Sequence, residues 1–549
     1  MRGQMMQDKF KKEKTVGKRL TDKKFTEKKL ADKKPVDKKT FEKKAVEKAG
    51  AEKKFGDKNG AEKRAAEKKT LDKKNFPKGQ FCPHFTKCGS CKYLDKTYAE
   101  QLSVKEQYVA DLMKKYCKCQ PIIGMDDPFH YRHKVHAVFG LDRKKNPISG
   151  VYEERSHRIL PVDSCLIEDQ KADAIVGTIR DLLKSFKIKV YDEDTGYGLL
   201  RYVLVRKGYA TGEIMVVLVT SSPVFPSKKN FVDALRKVHP EVTTVVQNVN
   251  DRTDSMILGA KSQVIYGKGY IVDELCGCSF KISPASFYQV NPEQAQKLYN
   301  KAIELADLIG KEMVVDAYCG TGTIGIIASQ KAGEVIGVEL NKDAVRDAVN
   351  NAKANGRSNI RFYQDDASHF LMSCAADGVR ADVLLMDPPR AGSTEVFMDA
   401  AVVMQPEKIV YVSCNPETLA RDVAYLEKKG YKAKEVWPVD MFPWTEHCET
   451  VVLLSREKAD DHIRFSINTE DLKKNVGGYA TYGDIKAYVL EKFGLKVSSL
   501  YIAQTKDKCG IKERENYYIG EGKSKELICP PEKEKAIMDA FRHFGMLKD

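Results

Sequence analysis

Two short segments of this chain hold the residue types best suited to covalent chemistry: Ser413-Cys414-Asn415-Pro416 and His447-Cys448-Glu449-Thr450, whose Glu449 lies 35 residues beyond Cys414. A thiolate is a strong carbon nucleophile and a carboxylate can accept a proton. The pair therefore suits addition to an electron-poor double bond followed by removal of a proton. A pyrimidine offers such a bond. Uracil C5 is too weakly nucleophilic to take a methyl group until a thiolate adds at C6 and pushes electron density onto C5 as an enolate. A lone cysteine is more often an inert buried thiol, and it is the two tetrapeptides together that argue otherwise.

A donor pocket precedes them. Asp316-Ala317-Tyr318-Cys319-Gly320-Thr321-Gly322 falls where an apolar strand turns into a helix, and glycines there let backbone approach a ligand. Glu339 closes the next strand, placed to accept hydrogen bonds from ribose hydroxyls. Alone, Gly-x-Gly marks a dinucleotide site or merely a tight turn. Here a second acid, Asp366, follows the third strand, and Asp387-Pro388-Pro389-Arg390 follows the fourth. Four signals in strand order point to S-adenosylmethionine. Enzymes that methylate adenine amines place an aromatic residue after the Pro-Pro pair to stack on the flipped base; Arg390 stands there instead, which favours carbon methylation.

The elements that must position these residues read as alternating strands and helices from about residue 284: EMVVDAYC, EVIGVEL, ADVLLMD and KIVYVSC as strands, with NPEQAQKLYNKAIELADLI, TIGIIASQKA and KDAVRDAVNNAKANG as helices. Continuous apolar strands between amphipathic helices predict a doubly wound α/β sheet of largely parallel order over residues 284–456, with Cys414 at a strand end where such sheets build their sites. Residues 81–283 read as a cysteine-bearing segment and a β-rich middle domain, expected to bind RNA. Its LLRYVLVRKGYATGEIMVVLVT stretch forms two strands around a glycine turn. Residues 457–549 form a small basic extension of no assigned role. There, Thr481 to Asp484 could cap a helix carrying Ile485, Val489 and Phe493 on one face.

Charge is concentrated at one end. Residues 1–80 hold 28 Lys and Arg against 13 Asp and Glu, a net of +15 out of +16 for all 549 residues. Their five-residue repeat (LTDKK, FTEKK, LADKK) advances a helix by about 140° net per unit, so its apolar residues build no continuous stripe. A disordered basic tail is expected, attaching to nucleic acid through phosphates without base specificity; deleting it should weaken RNA binding and flatten its salt dependence. No run of about 18 apolar residues and no signal region are seen, which predicts a soluble cytoplasmic protein in a reducing compartment. No membrane association or obligate protein partner is called for, and a monomer is expected.

Of the 14 cysteines, Cys82, Cys88 and Cys91 are clustered and Cys165 is distant. Structural zinc usually draws on two close ligand pairs, whereas three-plus-one suits an iron-sulfur cluster better, without excluding zinc. Cys117 with Cys119 and Cys276 with Cys278 are competing C-x-C candidates.

From Phe81 to Arg456, through SFYQVN (residues 286–291), DAYCGTG, DPPR, SCNP and HCET, the chain resembles the RNA uracil-5-methyltransferase family, with its Rossmann-like class I methyltransferase domain. The resemblance implies that Gln289, Tyr318, Glu339 and Asp366 line the S-adenosylmethionine site and that Asp387 sits between cofactor and uracil. It also implies Cys414 as nucleophile and Glu449 as proton acceptor. Thr323 stands where many members carry Asn, which leaves its cofactor contact less secure. The branch that modifies 23S ribosomal RNA carries a [4Fe-4S] cluster on the Cys82, Cys88, Cys91, Cys165 pattern, so 23S ribosomal RNA is the expected substrate and transfer RNA the other option. Many members place a small β-barrel before the cluster, which the lysine repeats cannot encode. Two other functions stay open: an RNA cytosine-5 methyltransferase, using similar thiolate chemistry, and a non-catalytic iron-sulfur RNA-binding protein, which leaves SCNP and HCET without a purpose.

Overall fold

The computed structural model describes residues 76–254, 256–457, 480, 482–497, 499–509, 529–544 and 546–547. The lysine repeats up to residue 75 and Thr481 lie outside them. Two sheets carry most of the molecule. The first has seven strands, in the spatial order Ile159–Pro161, Pro147–Tyr152, Lys134–Leu141, Leu200–Lys207, Ile214–Thr220, Val242–Val249 and Lys261–Tyr266. Its central strands are apolar on both faces, and the two-residue alternation sorts them. Val203, Val205, Val216 and Leu218 pack beneath the helices Gln170–Ser185 and Lys228–Val238, while Tyr202, Leu204, Met215 and Val217 join the core of the second sheet.

The second sheet has eight strands, in the order Lys118–Cys119, Tyr431–Val439, Glu449–Arg456, Lys408–Ser413, Val383–Met386, Met313–Ala317, Glu334–Glu339 and Ile360–Gln364. All pairs are parallel except those made by Glu449–Arg456, which runs antiparallel to both neighbours. This is the doubly wound arrangement expected from the sequence, with one reversed strand inserted beside Lys408–Ser413. The reversal matters: it brings a residue far along the chain back to the end of that strand.

The edge of this sheet lies outside the 284–456 stretch. Helix Tyr98–Met113 packs Val109 and Met113 into the core of the second sheet, and Lys118–Cys119 pairs in parallel with Glu435 and Val436. A two-residue strand is too short to show periodicity. The helix buries Gln101 and Lys105 among its contacts, so its inner face does not read as apolar. Between the sheets, the hairpin Ile271–Leu275 and Cys278–Ile282 is held by Asn355 and Asn351, whose side-chain oxygens accept from the Ser279 and Lys281 backbone N–H groups (2.8 and 3.0 Å).

In the C-terminal extension, helices Tyr482–Phe493, Ser499–Lys508 and Pro531–His543 surround Ile485, Val489, Ile502, Ile537 and Phe541. Phe493 is 41% exposed. Two steps of four residues rotate it by about 80° from Ile485, off the buried face. No helix among the described residues is long and apolar enough to cross a membrane.

Candidate active site

Antiparallel pairing sets the two candidate reactive residues side by side. Ser413, the last residue of its strand, pairs with Thr450, so Cys414 and Glu449 are the next positions on facing strand ends. The SCNP residues then turn the chain into a helix. Ser413 Oγ accepts from Asn415 N–H (3.2 Å), Asn415 caps helix Pro416–Lys428 through Glu417 N–H, and its amide donates to the Arg390 carbonyl (3.2 Å). The turn after DPPR is thus tied to the turn bearing Cys414. Buried Asp422 completes the tie by accepting from Ser393 N–H and Tyr411 O–H, both at 2.7 Å.

Four acids crowd this end of the sheet. Glu449 is 4% exposed and its carboxyl is pushed up to about 8 by burial and by Asp387. Burial raises Asp387 to about 7 and, with Asp387 and Glu339 adding, Asp316 to about 8. The Cys414 thiol is pushed up to about 11 by burial, Glu449 and Asp387, against which Arg390 acts alone among side chains. A strand end this rich in carboxyl groups favours a cation, such as a sulfonium.

The donor side is shaped for close approach. Gly320 (φ +55°) has open space where a Cβ would stand, whereas a Cβ on Gly322 (φ +81°) would meet the Phe362 ring at 2.7 Å. Glu339 receives Gly320 N–H (3.1 Å) and Asn341 N–H (2.7 Å), which fixes its carboxylate at the strand end. Asp366 caps helix Ala367–Ala376, one oxygen accepting from Ser368 and His369 N–H groups. Tyr318 has φ +63° and packs its ring on Phe397 at 5.0 Å. Thr323 starts helix Thr323–Ala328, its hydroxyl 3.5 Å from that of Thr321. These residues fit an adenosine-bearing cation.

Sequence reasoning missed Tyr299. It is 3% exposed on helix Pro292–Ala306, hydrogen-bonded by the Gln289 side chain and facing Asp387, Glu449 and Asp316. The available signal was a single phenol on a stripe otherwise built of Ala295, Leu298, Ala302 and Ile303. Also unforeseen was the anchoring of the segment that leads to Glu449. Asp440 is fully buried and accepts from Lys105 Nζ (2.5 Å), Gln101 Nε2 (2.7 Å) and Tyr98 O–H (2.9 Å).

Away from this site, Cys82, Cys88, Cys91 and Cys165 line one cavity of about 300 Å³. They stand close enough that Cys88 and Cys82 help raise the Cys91 thiol to about 12, after burial. Asp173 accepts from Cys165 N–H (2.8 Å), pinning the distant member. Among the described residues no group of three or more His, Cys, Asp or Glu is arranged to hold a single metal ion, and the other two cysteine pairs do not join this set. The cysteine segment also touches the Glu449 approach: Lys92 and Tyr93 N–H groups donate to the Trp444 carbonyl (2.8 and 3.1 Å).

Residues 97–457 match the family model described as tRNA (uracil-5-)-methyltransferase. An RNA methyltransferase of Halalkalibacterium halodurans is 44% identical over 68% of this chain and 82% of its own length. One of Caldanaerobacter subterraneus subsp. tengcongensis is 42% identical over 68% and 84%. Among solved structures, the Pyrococcus abyssi tRNA (uracil-54, C5)-methyltransferase in complex with S-adenosyl-L-homocysteine superimposes with a TM-score of 0.56 and 27% identity, covering 65% of this chain and 83% of that one. With two thirds of its length inside one family model, and a relative 44% identical over 68% of the chain, this chain belongs to the tRNA (uracil-5-)-methyltransferase family and is an S-adenosylmethionine-dependent RNA methyltransferase.

Proposed function

We propose that the protein methylates C5 of uracil in RNA through a covalent adduct between Cys414 and C6. The observation that carries this is the Ser413–Thr450 register, which sets a half-buried thiol beside a buried carboxyl group at the open end of the sheet. Bound S-adenosylmethionine supplies an electrophilic methyl group. Gln289, Tyr318, Thr323, Glu339 and Asp366 hold it, with Asp387 between donor and base. The Cys414 thiol releases its proton to solvent and, as thiolate, adds to C6, leaving the electron pair on C5 as an enolate; once C5 carries the methyl group, Glu449 removes the C5 proton, the C5–C6 double bond re-forms and the C6–S bond breaks with its electron pair returning to sulfur.

The electrostatics support a gated thiol. Burial, Glu449 and Asp387 hold the Cys414 thiol up, with Arg390 as the counterweight. A cation beside Asp387 stabilises the ionised forms of both Glu449 and Cys414, which favours attack only when donor is present. The target base must leave its stack to reach Cys414, as for other enzymes that act on a base.

The cysteine cavity is read as a [4Fe-4S] site held by Cys82, Cys88, Cys91 and Cys165. A cubane takes one thiolate at each of four corners, which suits donors around a cavity rather than converging on one point. Its role is structural: with Lys92 and Tyr93 bonded to Trp444, the cluster braces the segment that carries Glu449. That cysteine pattern favours 23S ribosomal RNA as substrate, while transfer RNA is the named substrate of the Pyrococcus neighbour.

Purified enzyme given uridine-only and cytidine-only transcripts, then 23S ribosomal RNA and transfer RNA, tests the reading. Methyl transfer to uridine that vanishes in Cys414→Ala is expected. Transfer to cytidine alone, or full activity in Cys414→Ala, overturns it.

A further inference from the structure

The cysteine cavity has a wall that four thiols do not explain. Arg132, Lys134 and His136, at and just before the start of strand Lys134–Leu141, line it together. Among the described residues Glu168 is the one acidic side chain on that wall. His136 Nε2 is buried with no hydrogen-bond partner, and the half-buried Lys134 stands two residues before it on the same strand. Behind them, Arg206 is register partner to Lys134 and 3% exposed; its guanidinium donates to the Ser286 carbonyl (2.5 Å) while its Nε has no partner. Arg132 and the half-buried Lys134 face a single acid, Glu168, beside a neutral imidazole whose Nε2 has no partner, and cations held partly out of water with so little counter-charge are costly. A wall of this kind is built for an anion.

An iron-sulfur core bound by four thiolates is a net dianion, and cations beside it offset the desolvation of its charge. N–H groups aimed at its sulfurs and nearby positive charge both favour the more negative, reduced form, which raises the reduction potential. We propose that Lys134 and His136 are positioning residues for this cluster, Lys134 as fixed counter-charge and His136 as a donor from Nε2 to a cluster or cysteine sulfur, and that together they set its potential and stability. The inference rests on the [4Fe-4S] reading above.

The test uses full-length protein purified anaerobically and reconstituted with iron and sulfide, in the wild type and in His136→Leu, His136→Gln and Lys134→Met. Iron and sulfide content, visible absorption, midpoint potential and the rate of bleaching in air are measured, with circular dichroism to verify folding. The expected result is an unchanged fold, a lower midpoint and faster bleaching in His136→Leu and Lys134→Met. His136→Gln, which keeps an N–H donor, should return toward the wild type. Equal midpoints and bleaching rates in all four proteins overturn the inference while leaving the cluster reading intact. Wild-type protein that takes up no iron and sulfide overturns the cluster reading, and this inference with it.

Discussion

Replacing Lys105 by Met should destabilise the catalytic unit through a charge left behind. Lys105 and Asp440 are 2% and 0% exposed, and Lys105 Nζ bonds both Asp440 (2.5 Å) and the Phe442 carbonyl (3.0 Å). Removing one partner of a buried pair costs about 3–5 kcal/mol, most of it the penalty for the orphaned charge. Asp440 keeps two donors, Tyr98 and Gln101, which puts the expectation at the lower end, about 3 kcal/mol. For a unit of this size that is a fall of roughly 6–12 °C in the thermal midpoint. A chain of several units does not unfold in one step, so the midpoint of the catalytic transition is the quantity to read. Methyl transfer at 25 °C should fall as well, because Asp440 and Phe442 begin the segment that delivers Glu449. Lys105→Met with Asp440→Leu should recover most of the midpoint, since no charge remains unpaired. A double variant that loses the sum of both single losses would refute the reasoning.

Because burial and Asp387 raise Glu449 to about 8 in the free protein, methyl transfer at limiting S-adenosylmethionine should rise with pH through about 8, and the limb should move lower once the donor cation saturates the site. Arg390 favours the ionised forms of both Cys414 and Glu449, so Arg390→Gln should move the rising limb to higher pH; an unmoved limb contradicts its role. Asp316, Asp387 and Glu449 all titrate well above unfolded carboxyl groups near 4. Unfolding between about pH 4 and 8 therefore releases protons, and stability without ligand should fall as pH rises through that window. Asp387→Asn should raise the thermal midpoint at pH 8 while abolishing methyl transfer. Gly322→Ala forces a side chain into φ +81° and against Phe362, a strain of about 1–3 kcal/mol, and should weaken S-adenosylhomocysteine binding measured by calorimetry.

The doubly wound sheet was legible because its strands are unbroken apolar runs between amphipathic helices, a pattern that burial on both faces imposes. Cys414 could be placed at a strand end for the same reason. Its partner was legible only as a motif, since the contact with Glu449 depends on the reversed strand, a long-range register that no local periodicity encodes. Helix Tyr98–Met113 falls inside the 81–283 stretch read as a middle domain, yet it packs on the catalytic sheet; its inner face carries Gln101 and Lys105, polar residues whose partners lie more than 300 positions away. Tyr299 was hidden by the same logic: one phenol among apolar residues announces nothing until Gln289 and the carboxyl groups surround it. Arg132, Lys134 and His136 belong to no motif, and only the cavity shows that they face the cysteines.

The central claim is the bond between Cys414 and uracil C6. Incubating the enzyme and S-adenosylmethionine with RNA carrying 5-fluorouridine at the target tests it, because Glu449 cannot remove fluorine from C5 and the adduct cannot resolve. The account predicts a denaturation-resistant protein–RNA complex whose peptide map places the nucleotide on Cys414, absent in Cys414→Ala. Full turnover with no trapped complex, or an adduct on another residue, would contradict it.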